Sequence, residues 1–235
     1  MMKLTVEKRF NDRALLAEQL ATKVAGQLQE AIDARGKASL VVSGGRTPLA
    51  FFHALSRQPI TWSKVLVTLA DERWVDVDDA ASNAALVRDN LLQGRAASAR
   101  FVGLKTPHAT VEAGLALATD WLGALPKPLD VVILGMGNDG HTASLFPDCP
   151  NLKHGLETRD TLIAAHPASQ PLARISMSLA TLLNSRQIYL HLEGKDKAET
   201  LAKALADTDV TAMPIRAIVG QKQTPVDVYL YQEEA

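Results

Sequence analysis

The sequence holds a single cysteine, Cys149, in 235 residues. An intramolecular disulfide is therefore excluded, and a reducing compartment is expected. No apolar run reaches the roughly 18–20 residues that a membrane helix needs. The first residues, Met1-Met2-Lys3-Leu4-Thr5-Val6-Glu7-Lys8-Arg9, lack the apolar core of a signal peptide, so a cytoplasmic location is expected. Neither sign of charge is in excess: 25 Lys and Arg stand against 26 Asp and Glu, a formal net charge of −1. That balance argues against a nucleic-acid or anionic-membrane partner. Internal repeats, low-complexity tracts and linkers are missing too, and one domain over 1–235 is the simplest reading. No histidines, cysteines and acids cluster at metal-ligand spacing. His108, His154, His166 and His191 are scattered and read as structural or surface residues, and Cys149 as a small structural thiol.

What is present is ordinary globular composition, 47% hydrophobic and 22% charged. Residues 12–36 carry Leu15, Leu16, Leu20, Val24, Leu28 and Ile32 at helical spacing. Asp12 suits the N-cap and Gly36 the C-terminal stop. Short apolar, β-branched runs at 39–42, 65–69, 129–134 and 187–192 read as buried strands. Helical patterns at 49–55, 83–92, 111–125 and 194–205 lie between them. Further strands are expected at 101–104, 161–165, 174–178 and 226–231, with one or two helical turns at 179–183 and a short element at 214–219. Residues 148–154 read as a loop. Alternation of strand and helix predicts an α/β fold, a doubly wound, mostly parallel, Rossmann-like sheet with helices on both faces.

Four of these strands run into turns that carry chemistry. Ser43-Gly44-Gly45-Arg46-Thr47-Pro48 joins a strand to a helix. Its glycines allow close backbone approach, Thr47 suits the N-cap, Pro48 suits the first helical position, and Arg46 adds a cation. Asp71-Glu72-Arg73-Trp74 ends the second run. Arg73 can hold a phosphate in bidentate fashion, and Asp71 can bond a hydroxyl or orient a partner. A solvated turn with mutually paired charges is the other reading. Gly194-Lys195-Asp196-Lys197 opens a helix, where Lys195 and Lys197 oppose the helix dipole; an anionic ligand explains them, and exposed lysines on a first turn are the other reading.

The central turn is Gly135-Met136-Gly137-Asn138-Asp139-Gly140-His141-Thr142-Ala143-Ser144-Leu145-Phe146-Pro147. Gly135, Gly137 and Gly140 satisfy the G-x-G-x-x-G dinucleotide pattern. That pattern requires an immediate helix, and Pro147 and Pro150 leave little room for one. The turn instead delivers Asp139 and His141 to the rim where α/β sheets bind ligands. An acid and an imidazole there suggest proton transfer at a small molecule.

These blocks, with Ala70 and Val75 flanking the second, Ser82-Asn83 after it and Lys197-Ala198 in the last, resemble the glucosamine-6-phosphate isomerase/6-phosphogluconolactonase family, on its lactonase side. The resemblance spans nearly the whole chain. The related deaminases continue after the histidine with Asn-Glu-Pro, whereas this chain reads Ser144-Leu145-Phe146-Pro147. They also carry Tyr where Arg73 stands. Arg46 departs from the commoner serine. The resemblance implies hydrolysis of 6-phospho-D-glucono-1,5-lactone, with His141 as base and Asp139 orienting it. It implies a phosphate held by Arg73, Lys197 and the backbone of Gly44, Gly45, Arg46 and Thr47, with Arg174 a further candidate and Asp71 and Asn138 in the substrate site. No redox cofactor or metal is needed. The expected partner is the phosphorylated sugar lactone, with the protein a monomer or small homo-oligomer, and glucosamine-6-phosphate deamination or another sugar-phosphate isomerisation on the same fold the alternative reaction.

Overall fold

The computed structural model describes residues 6–233; residues 1–5, part of the N-terminal stretch read above, lie outside the described residues. The chain runs β1 (Val6–Phe10), α1 (Arg13–Arg35), β2 (Ala38–Val42), α2 (Leu49–Ser56), β3 (Val65–Leu69), β4 (Asp71–Arg73), α3 (Asn83–Asn90) and β5 (Arg100–Val102). It continues with α4 (Val111–Trp121), β6 (Val131–Leu134), α5 (Leu152–Glu157), β7 (Leu162–Ala165), β8 (Arg174–Met177), α6 (Leu179–Leu183), β9 (Ile188–Glu193), α7 (Lys195–Leu205), α8 (Ile215–Val219) and β10 (Val226–Tyr231).

Seven strands form a parallel sheet in the order β1-β10-β9-β6-β2-β3-β5. Every residue of β2, β3 and β6 is buried, as apolar runs covered on both faces must be. From β2 the chain steps outward to β3 and β5; from β6 it steps the other way to β9 and β10. Crossovers between parallel strands are right-handed as a rule, which sends two oppositely directed sets of connections to opposite faces. The order reverses between β2 and β6, and the loops after these two strands part there to open a crevice.

Helix α1 forms where the pattern placed it. The Asp12 carboxylate accepts from the Ala14 and Leu15 amides at 2.7 and 3.1 Å. Gly36, at φ +77°, turns the end back so that its amide donates to Ile32 O. Leu16, Leu20, Val24, Leu28 and Ile32 form the buried stripe. Among the described residues, no helix is long and apolar enough to cross a membrane.

Several expectations are corrected. A second, antiparallel sheet, β4-β8-β7, stands beside the first. Residues 71–73 are one of its strands rather than a solvated turn, and Asp71 and Glu72 are only 5% and 1% exposed. Glu72 caps α3, accepting from the amides of Asn83 and Ala84 at 2.8 and 2.7 Å. Burial pushes its carboxyl up and Asp71 adds to this, while those amides and that of Arg73 oppose it. Thr47 does not cap α2. Pro48 holds the cap position with helical dihedrals, and the Leu49 amide donates to Arg46 O at 3.3 Å instead of to a Thr47 hydroxyl. Part of 148–154 is helical, in α5. Strand β1 was not expected, because its side chains are mostly exposed.

Candidate functional site

At the switch point lies a cavity of about 300 Å³. All four chemistry-bearing turns reach it. Its wall includes Gly44, Gly45 and Thr47 after β2, Asp71 and Arg73 on β4, His141 after β6, and Lys197 on α7. Arg174, on β8, completes the predicted set found there.

The loop after β6 folds back on itself. Gly137 N–H donates to His141 O at 2.9 Å and Gly140 N–H to Gly137 O at 3.0 Å. This hairpin sets the His141 Nδ1 2.6 Å from Asp139 Oδ1, and Asp139 also accepts from the His141 amide at 3.1 Å. The ring lies on Phe146, with centroids 3.9 Å apart. A Cβ on Gly137 would stand 2.1 Å from the His141 Nδ1, so only glycine leaves room for the imidazole. Ala143 takes φ +48°, a left-handed conformation that costs about 1 kcal/mol in a non-glycine residue. It closes a turn in which Leu145 N–H donates to Thr142 O, and it lines the cavity. No helix follows the glycines until α5, so the dinucleotide geometry is not formed.

Burial pushes the Asp139 carboxyl up, but the hydrogen bond and charge of His141, with its amide, outweigh burial and hold it below the ordinary value. The carboxylate therefore keeps the imidazole hydrogen on Nδ1 and leaves Nε2 as the basic nitrogen.

Arg73 and Arg174 form the cationic wall. Arg73 donates through Nη1 to Ala81 O and Asn83 Oδ1, both at 2.8 Å. Arg174 donates to Gln170 Oε1 at 3.2 Å and lies 3.7 Å from Asp71 Oδ2. Burial lowers the affinity of the Arg174 guanidinium for its proton, Asp71 opposes this, and Arg73 adds to it. Asp71 is engaged inside the protein, accepting from Ser144 Oγ at 2.6 Å. Arg174 also sits over the Phe146 ring, 5.1 Å from its centroid, so the same aromatic ring touches both arginine and imidazole. Gly44 is packed so closely that a Cβ there would lie 1.8 Å from Asn83 Oδ1.

Four predicted residues stand apart from the wall. Arg46 is exposed and outside it, because the chain turns at Gly45, φ +94°, and the 46–49 turn carries the side chain outward. Lys195 is likewise exposed and away from it. Asn138 is exposed and meets the site only by accepting from Lys197 Nζ. Asp139 acts on the cavity through His141 rather than lining it. Conversely, Asn83, Ala143, His191 and Glu193 line the cavity and were not foreseen. His191 is no surface or merely scattered histidine. It is a polar residue between Leu190 and Leu192 near the carboxyl end of β9, which was the available signal.

The model of the family glucosamine-6-phosphate isomerases/6-phosphogluconolactonase matches residues 11–227. The chain belongs to this family. Within the family it is 48% identical to a 6-phosphogluconolactonase of Pseudomonas putida, with 93% of this chain and 89% of that protein covered. It is 45% identical to one of Pseudomonas aeruginosa, over 92% and 90% of the two chains. A crystal structure of a 6-phosphogluconolactonase from Shewanella baltica superposes with a TM-score of 0.96 at 54% identity, covering 99% of each chain. The family's fold is thus the fold described here.

Proposed function

We propose that the protein hydrolyses 6-phospho-D-glucono-1,5-lactone to 6-phospho-D-gluconate, in the pentose phosphate or Entner–Doudoroff route, as one domain over 1–235. The observation that carries this reading is an imidazole 2.6 Å from a carboxylate in the same cavity as an arginine pair. The first suits ester hydrolysis and the second an anionic substituent. The names of the relatives agree with it.

In this reading His141 Nε2 takes a proton from water as the oxygen attacks C1 of the lactone. The carbonyl electron pair moves onto oxygen, giving a tetrahedral oxyanion. As that collapses, the bond from C1 to the ring oxygen breaks, and the imidazolium returns its proton to the leaving oxygen. The new carboxylic acid loses its proton to solvent. Asp139 orients the ring and favours the imidazolium. Arg73, Arg174 and Lys197 hold the phosphate with the amides of the 44–47 turn. The substrate is the partner this site needs, and the chemistry calls for no cofactor.

Deamination of glucosamine 6-phosphate is the competing reaction within the family. The aromatic ring of Phe146 stacked on His141, where the deaminase pattern carries an acid nearby, speaks against it. The decisive experiment measures hydrolysis of the phosphorylated lactone above its spontaneous rate, beside unphosphorylated gluconolactone, with ammonia release from glucosamine 6-phosphate as the control. Hydrolysis no faster than the uncatalysed rate would end the proposal.

A further inference from the structure

Among the described residues, six buried side-chain polar atoms have no hydrogen-bond partner. Five belong to residues of the cavity wall: Arg73 Nε, Arg174 Nε, His191 Nδ1, His191 Nε2 and Glu193 Oε1. Native folds leave few such atoms, and each requires a reason. For the arginines the proposed anion is one. His191 and Glu193 have no role in the reaction described above.

His191 is 2% exposed and lies edge-on to Phe51 of α2, with ring centroids 6.0 Å apart. Glu193 is two residues further along β9, on the same face of the strand. His191 Nε2 comes within 3.5 Å of Glu193 Oε1 without forming a hydrogen bond. The other oxygen, Oε2, is held 2.9 Å from Arg13 Nε. Glu193 is thus anchored at one oxygen and idle at the other. Packing alone is a poor account of the pair, since apolar side chains would fill the space without stranding three polar atoms.

We propose that His191 and Glu193 form a second polar subsite in the cavity that takes a hydroxyl group of a sugar-acid ligand, His191 donating and Glu193 accepting. A hydroxyl both accepts and donates, so one such group satisfies an imidazole N–H and a carboxylate oxygen together. The terminal torsion of a glutamate is soft, and a small rotation brings Oε1 to a group entering through the cavity. The subsite is carried on β9, whereas the arginines are carried on β4 and β8, and in this proposal it reads the polyol portion of the ligand. This rests on the sugar-phosphate reading above.

Isothermal titration with 6-phosphogluconate and, separately, with inorganic phosphate tests it on wild type, His191→Leu, His191→Gln and Glu193→Gln. The expected result is a loss of about 10-fold in 6-phosphogluconate affinity for His191→Leu, with phosphate affinity unchanged. His191→Gln, which keeps a donor, recovers most of the loss. Unchanged 6-phosphogluconate affinity in His191→Leu overturns the subsite, as does an equal loss for both ligands. Should His191→Leu fail to fold, Glu193→Gln decides by the same comparison. A wild-type protein that binds phosphate but not 6-phosphogluconate ends the sugar-phosphate reading and the subsite with it. If wild type binds and hydrolyses its substrate while the variants bind like wild type, only the subsite falls.

Discussion

Arg73 and Arg174 stand opposite one another across the antiparallel pair β4 and β8. Two like charges in directly facing positions destabilise a sheet, and neither arginine uses its Nε in the protein. An anion between them relieves both faults. The fold therefore carries a local cost that the proposed phosphorylated ligand would offset.

The first expectation concerns that pair. Arg73→Ala and Arg174→Ala should each raise KM for the phosphorylated lactone by about 10- to 100-fold, with kcat much less affected. Steady-state kinetics beside unphosphorylated gluconolactone checks this, since that substrate should not register the change. An unaltered KM in either variant would remove that arginine from the phosphate site.

His141→Ala should lower kcat by about 10²–10⁴-fold. Asp139→Asn should fall in the same range, because an amide can donate to Nδ1 and force the hydrogen onto Nε2. Rates close to wild type in both variants would leave the imidazole without a role as base.

Asp139 also has a titration signature. Its carboxyl lies below the ordinary 3.8, so its contribution to folding is present above 3.8 and disappears as pH falls through the lower folded value. Carboxyl NMR should find its midpoint below 3.8 in wild type. In His141→Ala the imidazole bond and charge vanish while burial remains, so the midpoint should move upward. A midpoint indifferent to the substitution would contradict the coupling.

Gly137→Ala should sharply lower activity without unfolding the protein. The added Cβ would fall 2.1 Å from the His141 Nδ1 and 2.5 Å from Asp139 Oδ1, in a loop outside the core. Circular dichroism should match wild type while kcat drops by an order of magnitude or more. Full activity would mean that the loop relaxes freely.

Stability away from the site is tested by Asp12→Ala. Losing the two amide bonds of this N-cap should cost about 1 kcal/mol and lower Tm by about 2–4 °C. Calorimetry should show this with kcat and KM unchanged.

Most of the scaffold was readable from local pattern. Asp12 and Gly36 bracket α1 because capping is a local event, and β2, β3 and β6 announce themselves through unbroken apolar runs. Strand β1 escaped because Val6-Glu7-Lys8-Arg9-Phe10 joins the sheet through backbone pairing with β10 rather than through buried side chains. Glu72 looked like a surface charge because its partners, the amides of Asn83 and Ala84, come from a helix that packs on it only in three dimensions. The site shows the same division. Asp139 and His141 share one turn and could be read together, whereas Arg174 was named only through the family resemblance, because its place opposite Arg73 depends on β8 pairing with β4. His191 was passed over as one of four scattered histidines, because its nearness to the site depends on β9 lying beside β6.

The cavity wall is assembled from stretches that begin at Ser43 and end at Lys197, carried on both sheets. A fragment that stops short of either end, or that lacks the strands of one sheet, leaves the wall incomplete. Proteolytic pieces or a half-assembled intermediate would therefore be inert, and every recorded turnover would certify that both sheets had come together.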